Sequence, residues 1–304
     1  MRPAWSIIFF TTISGLGFGL AAWLVLGFVN LTNPAELIVV GLVVIGLIGS
    51  GLLSSTFHLG HPERAWRALS QWRSSWLSRE GVLAVLALAG LLAWGWYQTH
   101  LGPVPEWARV ALALLMAVTV YATSMIYASL RTVARWHHPL TPVCYLLFAA
   151  AGGLLAVLLM MAALGQAYGD ALELSALLAL GSAWGIKIVW WQVAGAAGSG
   201  SSLATATGLS GLGTVRSIMP PHTSENYLQH EMGFVVARKH AARLRILALV
   251  GGGVVPAALV LFGRGSAPVL GLAVLLHLAG VFVERWLFFA EAKHVVSLYY
   301  GDQN

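Results

Sequence analysis

Residues 35–57 read AELIVVGLVVIGLIGSGLLSSTF, a run with a single charge, Glu36, near its start. A helix of about 20 apolar residues crosses the hydrocarbon core of a bilayer, and this run meets that length. Further stretches of the same kind lie at about residues 6–29, 79–97, 107–130, 140–164, 174–193, 244–262 and 267–290. The first stands where a signal sequence would, but its length and the lack of a convincing A-x-A site mark it as a retained anchor. The pattern predicts an all-α integral membrane protein, a bundle of about eight transmembrane helices forming one membrane domain over residues 1–304. An interfacial loop is expected at about 58–79 and a long polar loop at about 194–243.

Composition agrees with that reading. Of 304 residues, 58% are apolar and 9% charged, against about a quarter charged in a soluble domain. Mean hydropathy is +0.79. So few charges leave a surface that must face lipid. A single cysteine, Cys144, forms no internal disulfide and excludes thiolate iron–sulfur ligation or a Cys-rich zinc site within this chain. The Gly-Ser run after residue 194 lacks the Gly-Lys-Ser/Thr of a phosphate loop and follows no strand.

The net charge of +6 reads as topology and implies no nucleic-acid partner. Arg64, Arg67, Arg73 and Arg79, then Arg131 and Arg135, then Arg216, Arg238, Lys239, Arg243 and Arg245 fall in or beside three connections. In an eight-span chain these connections share one face with both termini. The other face offers Glu36, Glu106 and a short acidic loop with Asp170 and Glu173, beside Arg109 and Arg264. The positive-inside rule makes the basic face cytoplasmic, in a multi-pass protein of a bacterial inner membrane surrounded by its lipids.

The chemistry concentrates between the second and third spans. Pro62 suits the first position of a helix and Glu63 complements its positive end, so residues 62–71 predict a short interfacial helix. Trp66, Trp72 and Trp76 sit where interface tryptophans belong. His58 closes span two and Glu80 opens span three, at one depth. With His61, Arg64, Arg73 and Trp76 around them, they suit a small polar head group inserted from the bilayer. Quinone chemistry asks for such a set: donors to two carbonyl oxygens, and a route for two protons. A histidine donates and titrates near neutrality, and a carboxylate relays the proton. Helix-end electrostatics alone also accounts for a C-terminal histidine and an N-terminal glutamate.

A second set lies deeper. Lys187 falls mid-span, flanked by Trp184, Trp190 and Trp191, while His277, Glu284 and Glu291 recur at intervals of seven along one stripe. Intramembrane ionisable residues face the bundle interior. They read either as a proton route or as a structural Lys187–Glu284 pair, with Arg285 beside Glu284. Haem is the rival cofactor and would need facing imidazoles. Of ten histidines only His277 is mid-span, so no haem is expected in this chain, and no metal.

The run STFHLGHPERAW at 55–66, followed by SSWLSRE at 74–80, resembles the membrane anchors of the dimethyl sulfoxide reductase family. The distal run ERWLFFAEAKHVVSLYYG at 284–301 is similar to anchors of that family's sulfite-dehydrogenase branch. The similarity covers essentially the whole chain, and its most specific elements are the histidine–leucine–glycine at 58–60 and the serine–x–glutamate at 78–80. The resemblance implies a complex with an iron–sulfur electron-transfer subunit and a molybdopterin-guanine-dinucleotide catalytic subunit. This chain would then exchange electrons with ubiquinone or menaquinone, carry no haem, and hold no active site for the outer substrate. By match to the motif, His58 and Glu80 are its quinone residues; Arg131, Arg135, His137 and His138 are expected to meet the iron–sulfur partner.

The distal run favours sulfite oxidation with quinone reduction over the alternative, quinol oxidation by a sulfoxide reductase anchor. Two other classes compete with both. A secondary transporter or channel would use Lys187, His277 and Glu284 as a midplane site, though no pair of broken helices recurs in matching halves. A purely structural anchor would leave electron transfer to another protein.

Overall fold

The computed structural model describes residues 3–58, 61–196, 202–216, 218–219, 236–263 and 265–300, without the side chains of 58, 62, 195–196, 236–239 and 299–300. The polar loop's residues 197–201, 217 and 220–235, and position 264, lie outside the described residues. Among the described residues the protein is helical and has no strand, and eight helices are long and apolar enough to cross a membrane. They are α1 (Trp5–Leu26), α2 (Pro34–Ser54), α3 (Trp76–His100), α4 (Glu106–Ala128), α5 (Leu140–Ala163) and α6 (Asp170–Ala196). The seventh, α7, spans His240–Phe262 and α8 is Ala267–Ala290.

Local chemistry sets the helix ends. Asn33 caps α2 by accepting from the Ala35 N–H at 3.0 Å, with Pro34 at the first position. Ser75 caps α3, so this helix starts one turn before the apolar run and Glu80 lies inside it. Asp170 and Glu173 do not form a loop: they occupy the first turn of α6, where carboxylates complement the helix dipole. Gly27 ends α1 at φ 89°, and the Arg109 guanidinium bonds the carbonyls of Val25 (2.7 Å) and Leu26 there.

α1 is the most buried span, packed against α2, α4, α5 and α8. Small residues permit this. A Cβ on Gly19 would land on the Ala149 carbonyl, and one on Gly153 would meet Gly19, so the backbones of α1 and α5 touch. Lipid tails supply no hydrophobic drive between helices, and close backbone approach replaces it. Outward residues such as Ile38, Val39 and Leu42 on α2 and Val85, Leu86 and Leu92 on α3 are exposed, as a lipid-facing belt requires.

α7 contains a π-helical segment at Val250–Val254, sequence VGGGV. The widened turn presents the Gly252 carbonyl sideways, where it accepts from Trp184 Nε1 at 3.0 Å and from His277 Nδ1 at 2.7 Å. Such bulges recur at functional positions in helices.

Candidate functional site

Glu80 sits one turn into α3, 4% exposed. It lies on the buried stripe Glu80, Ala84, Ala87 and Leu91, whose spacing follows the helical period. The alanines let α3 approach α4, where Thr123 Oγ1 donates to Glu80 Oε1 at 2.5 Å. The same hydroxyl lies 3.1 Å from the Thr119 carbonyl, so one proton faces two acceptors. The interfacial segment is tied to this end of α3. Ser78 Oγ donates to the Ala68 carbonyl, and Arg79 donates to the carbonyls of Trp72 (3.0 Å) and Arg73 (2.7 Å) while its guanidinium lies 4.4 Å from the Trp76 ring. Trp76 meets Tyr121 of α4 edge-on, centroids 5.9 Å apart.

Pro62–Gln71 forms a 3₁₀ helix that does not bring its own charged residues against the carboxylate. His61 Nδ1 lies 3.0 Å from Glu63 Oε1, Arg64 is 3.7 Å from the same oxygen, and all three side chains are exposed. Arg73 lies exposed over the Trp72 ring. Hydration holds these charges outward while Leu69 and Ser78 occupy the inner side: a Cβ on Gly81 would lie 2.7 Å from Leu69. His58 ends a short 3₁₀ turn, Ser55–His58, that prolongs α2; its side chain lies outside the described residues.

Thr123 also borders a chamber of about 20 Å³ between α1, α4, α5 and α8, whose apolar walls are broken by a few polar side chains. Thr12 of α1, Tyr145 of α5, and His277 and Arg285 of α8 line it. The Thr12 and Tyr145 hydroxyls are buried without a hydrogen-bond partner among the described residues. Two apolar grooves lie toward the opposite membrane face. One, of about 260 Å³, runs between α1, α4 and α5, lined by Trp23, Val110 and Leu146 among others. The other, of about 340 Å³, lies between α1, α2 and α3, with Leu37, Leu91 and Trp96 in its wall.

The deeper ionisable residues resolve into two separate clusters. Lys187 and Glu284 form a fully buried ion pair, and Arg285 Nη1 approaches the other Glu284 oxygen at 3.3 Å. Lys187 Nζ stands 3.5 Å from the Trp190 ring centroid, and the Arg285 guanidinium 3.5 Å from that of Tyr145. At the end of α8, Glu291 takes Arg135 and Arg245, each at 2.6 Å. A seven-residue step, ~10.5 Å along a helix, separates Glu284 from Glu291, and buried Phe288 lies within it.

The DMSO reductase anchor subunit (DmsC) family matches residues 1–301. The protein belongs to this family. It is 32% identical to the C-subunit of the sulfite dehydrogenase of Allochromatium vinosum, over 99% of both sequences. It is 28% identical to the C-subunit of the anaerobic dimethyl sulfoxide reductase of Haemophilus influenzae, over 49% of this sequence and 55% of that one. As a DmsC-family member it has the multi-pass helical architecture expected of a membrane anchor.

Of the docking residues expected in this DmsC-family member, Arg131 is exposed, but Arg135 is turned inward. Its side chain is only 15% exposed and grips Glu291. Burial pulls the pKa of Arg135 down, and the attraction of the Glu291 carboxylate opposes that pull. His137 Nδ1 donates to the Ala128 carbonyl at 2.6 Å, tying the loop to the end of α4, and His138 Nδ1 accepts from the Leu140 N–H at 3.2 Å. Sequence reasoning missed Thr123 and Tyr145. The available signal was the pair Thr119 and Thr123, hydroxyls four residues apart on one face of an apolar helix.

Proposed function

We propose that this protein is the quinone-reactive anchor of a molybdopterin oxidoreductase complex, passing electrons between an iron–sulfur subunit and the membrane quinone pool. The observation that carries the reading is Glu80. A carboxylate is buried one turn inside the basic end of the bundle, hydrogen-bonded by Thr123, at the serine–x–glutamate position of the family motif. Burying a carboxylate is expensive unless it has a task or a partner, and a single hydroxyl is a modest partner.

Reduction of a quinone takes up two electrons and two protons, and oxidation of a quinol releases them. Glu80 and His58 are the residues proposed to hold the ring oxygens and exchange those protons, with Trp76 one turn before Glu80 on α3. His61, Arg64 and Arg73 act at the mouth, where their exposed charges meet lipid head groups or water. Lys187, Glu284 and Glu291 serve packing in this reading, because each carboxylate is already matched by cations and the two clusters are a helical step apart.

We further propose that the basic face is cytoplasmic in the inner membrane and receives the iron–sulfur subunit, which in turn holds the molybdopterin guanine dinucleotide subunit. Arg131 is the most available cation of the 131–139 loop for that contact, with His137 and His138 alongside. The full-length similarity to a sulfite dehydrogenase component, against half-length similarity to a sulfoxide reductase component, supports sulfite oxidation with quinone reduction.

Photolabelling of the intact complex with an azido-quinone tests the location. Label is expected in peptides covering residues 55–80 and the facing turn of α4. Label confined to the groove walls around Trp23 and Val110, or around Leu37 and Trp96, contradicts the site. Supplying sulfite with a quinone analogue, and separately sulfoxide with a quinol, tests the direction.

A further inference from the structure

Glu80 takes its hydrogen bond from Thr123, a residue that also borders the small chamber between α1, α4, α5 and α8. The space there, about 20 Å³, exceeds the 10–15 Å³ that one water needs and is far too small for an aromatic ring. Its walls carry unsatisfied polar groups of the kind that water satisfies. Thr12 and Tyr145, 4% and 3% exposed, present hydroxyls with no hydrogen-bond partner among the described residues. The chamber also contains a fixed acceptor. The Gly252 carbonyl only accepts, so His277 Nδ1 carries the hydrogen, and in the neutral imidazole Nε2 is left as a lone-pair acceptor. A cavity of this size that offers a water two to four hydrogen-bond partners is an ordered-water site.

We propose that this chamber binds ordered water, and that Glu80 exchanges its proton with that water through Thr123. The inference rests on the quinone reading of Glu80 given above. The geometry of Thr123 carries it: its single hydroxyl proton is committed to Glu80 Oε1 at 2.5 Å or to the Thr119 carbonyl at 3.1 Å, leaving its oxygen lone pairs for a donor in the chamber. A proton leaving Glu80 binds Thr123 Oγ1 as the threonine's own hydrogen, swung from Oε1 towards the chamber, passes to the water. The water takes up the charge that the carboxylate gives up, and neutral His277 Nε2 only accepts a hydrogen bond from it. Inward movement is the reverse, and no atom or charge is left over. In this scheme Thr123 relays the proton and Tyr145 positions the water, and neither touches the quinone.

The test uses the intact complex, with quinone-linked turnover, the solvent isotope effect and dye-linked activity measured together. Thr123→Val keeps the shape and removes the hydroxyl. It should lower quinone-linked kcat by about tenfold or more without changing the KM for quinone or the dye-linked rate, and Thr123→Ser should restore it. Wild-type turnover and isotope effect in Thr123→Val, while Glu80→Gln is inactive, overturn the relay and leave the quinone site standing. Equal losses in the valine and serine variants also overturn it, because packing then explains both. Wild-type turnover in Glu80→Gln removes the quinone reading and this inference with it. Should Thr123→Val fail to assemble, Tyr145→Phe retains the ring beside Arg285 and carries the same expectation; a wild-type rate and isotope effect in that variant reject the proposal.

Discussion

Glu284 faces two cations, Lys187 and Arg285, with no exposed surface on its own side chain. The count of charges predicts an asymmetry. Lys187→Met leaves a neutral Glu284–Arg285 pair, whereas Glu284→Leu leaves two buried cations without a counter-ion. Removing one partner of a buried pair costs roughly 3–5 kcal/mol, so Glu284→Leu should lose about that much and Lys187→Met distinctly less. Thermal unfolding of the two variants in detergent checks the order, and a more damaging lysine variant contradicts the charge count. At this scale Lys187 and Glu284 were legible because an ion stands out in an apolar span. For Arg135 the sequence shows only a basic residue in a basic loop, and the fold adds its ion pair with Glu291. Thr123 is easily passed over despite its spacing from Thr119, since a threonine hydroxyl in a membrane helix ordinarily satisfies itself on the preceding turn, as Thr119 does on Leu115 at 2.8 Å.

Among the elements, α7 departs furthest from its reading. Its apolar run announced a span, but the π segment at Val250–Val254 left no periodic mark. Three consecutive glycines were its trace, and their reason is spatial: a Cβ on Gly252 would lie 2.6 Å from Trp184 and 2.7 Å from the Gly280 Cα. Gly252→Ala should therefore force α7 and α8 apart and cost about 1–3 kcal/mol, read as a lower unfolding temperature. An unchanged stability would show that the helices yield without strain. The start of α3 was read late for a different reason. Trp76, Ser78 and Arg79 interrupt the apolar pattern, yet Ser75 caps the helix. Ser75→Ala should cost about 0.5–2 kcal/mol, and because this cap positions Glu80, quinone-linked turnover should fall more than dye-linked turnover.

At the scale of the molecule, the eight spans found among the described residues, and their order, are legible in the sequence, because the bilayer permits few alternatives to a helix of the right length. The placement of the loops' side chains was not, since hydration and partner contacts decide it. The exposed Arg131 bears on assembly: Arg131→Glu should weaken association with the iron–sulfur subunit in a salt-dependent way, measured by co-purification across ionic strength, and unchanged recovery would move the docking surface elsewhere. The central claim is that quinone chemistry passes through Glu80. Its most direct test is quinone-linked turnover of the intact complex carrying Glu80→Gln, set against activity of the catalytic subunit with an artificial dye. The account predicts a quinone-linked rate lower by about 10²-fold with dye activity and assembly unchanged. A quinone-linked rate equal to wild type would contradict it.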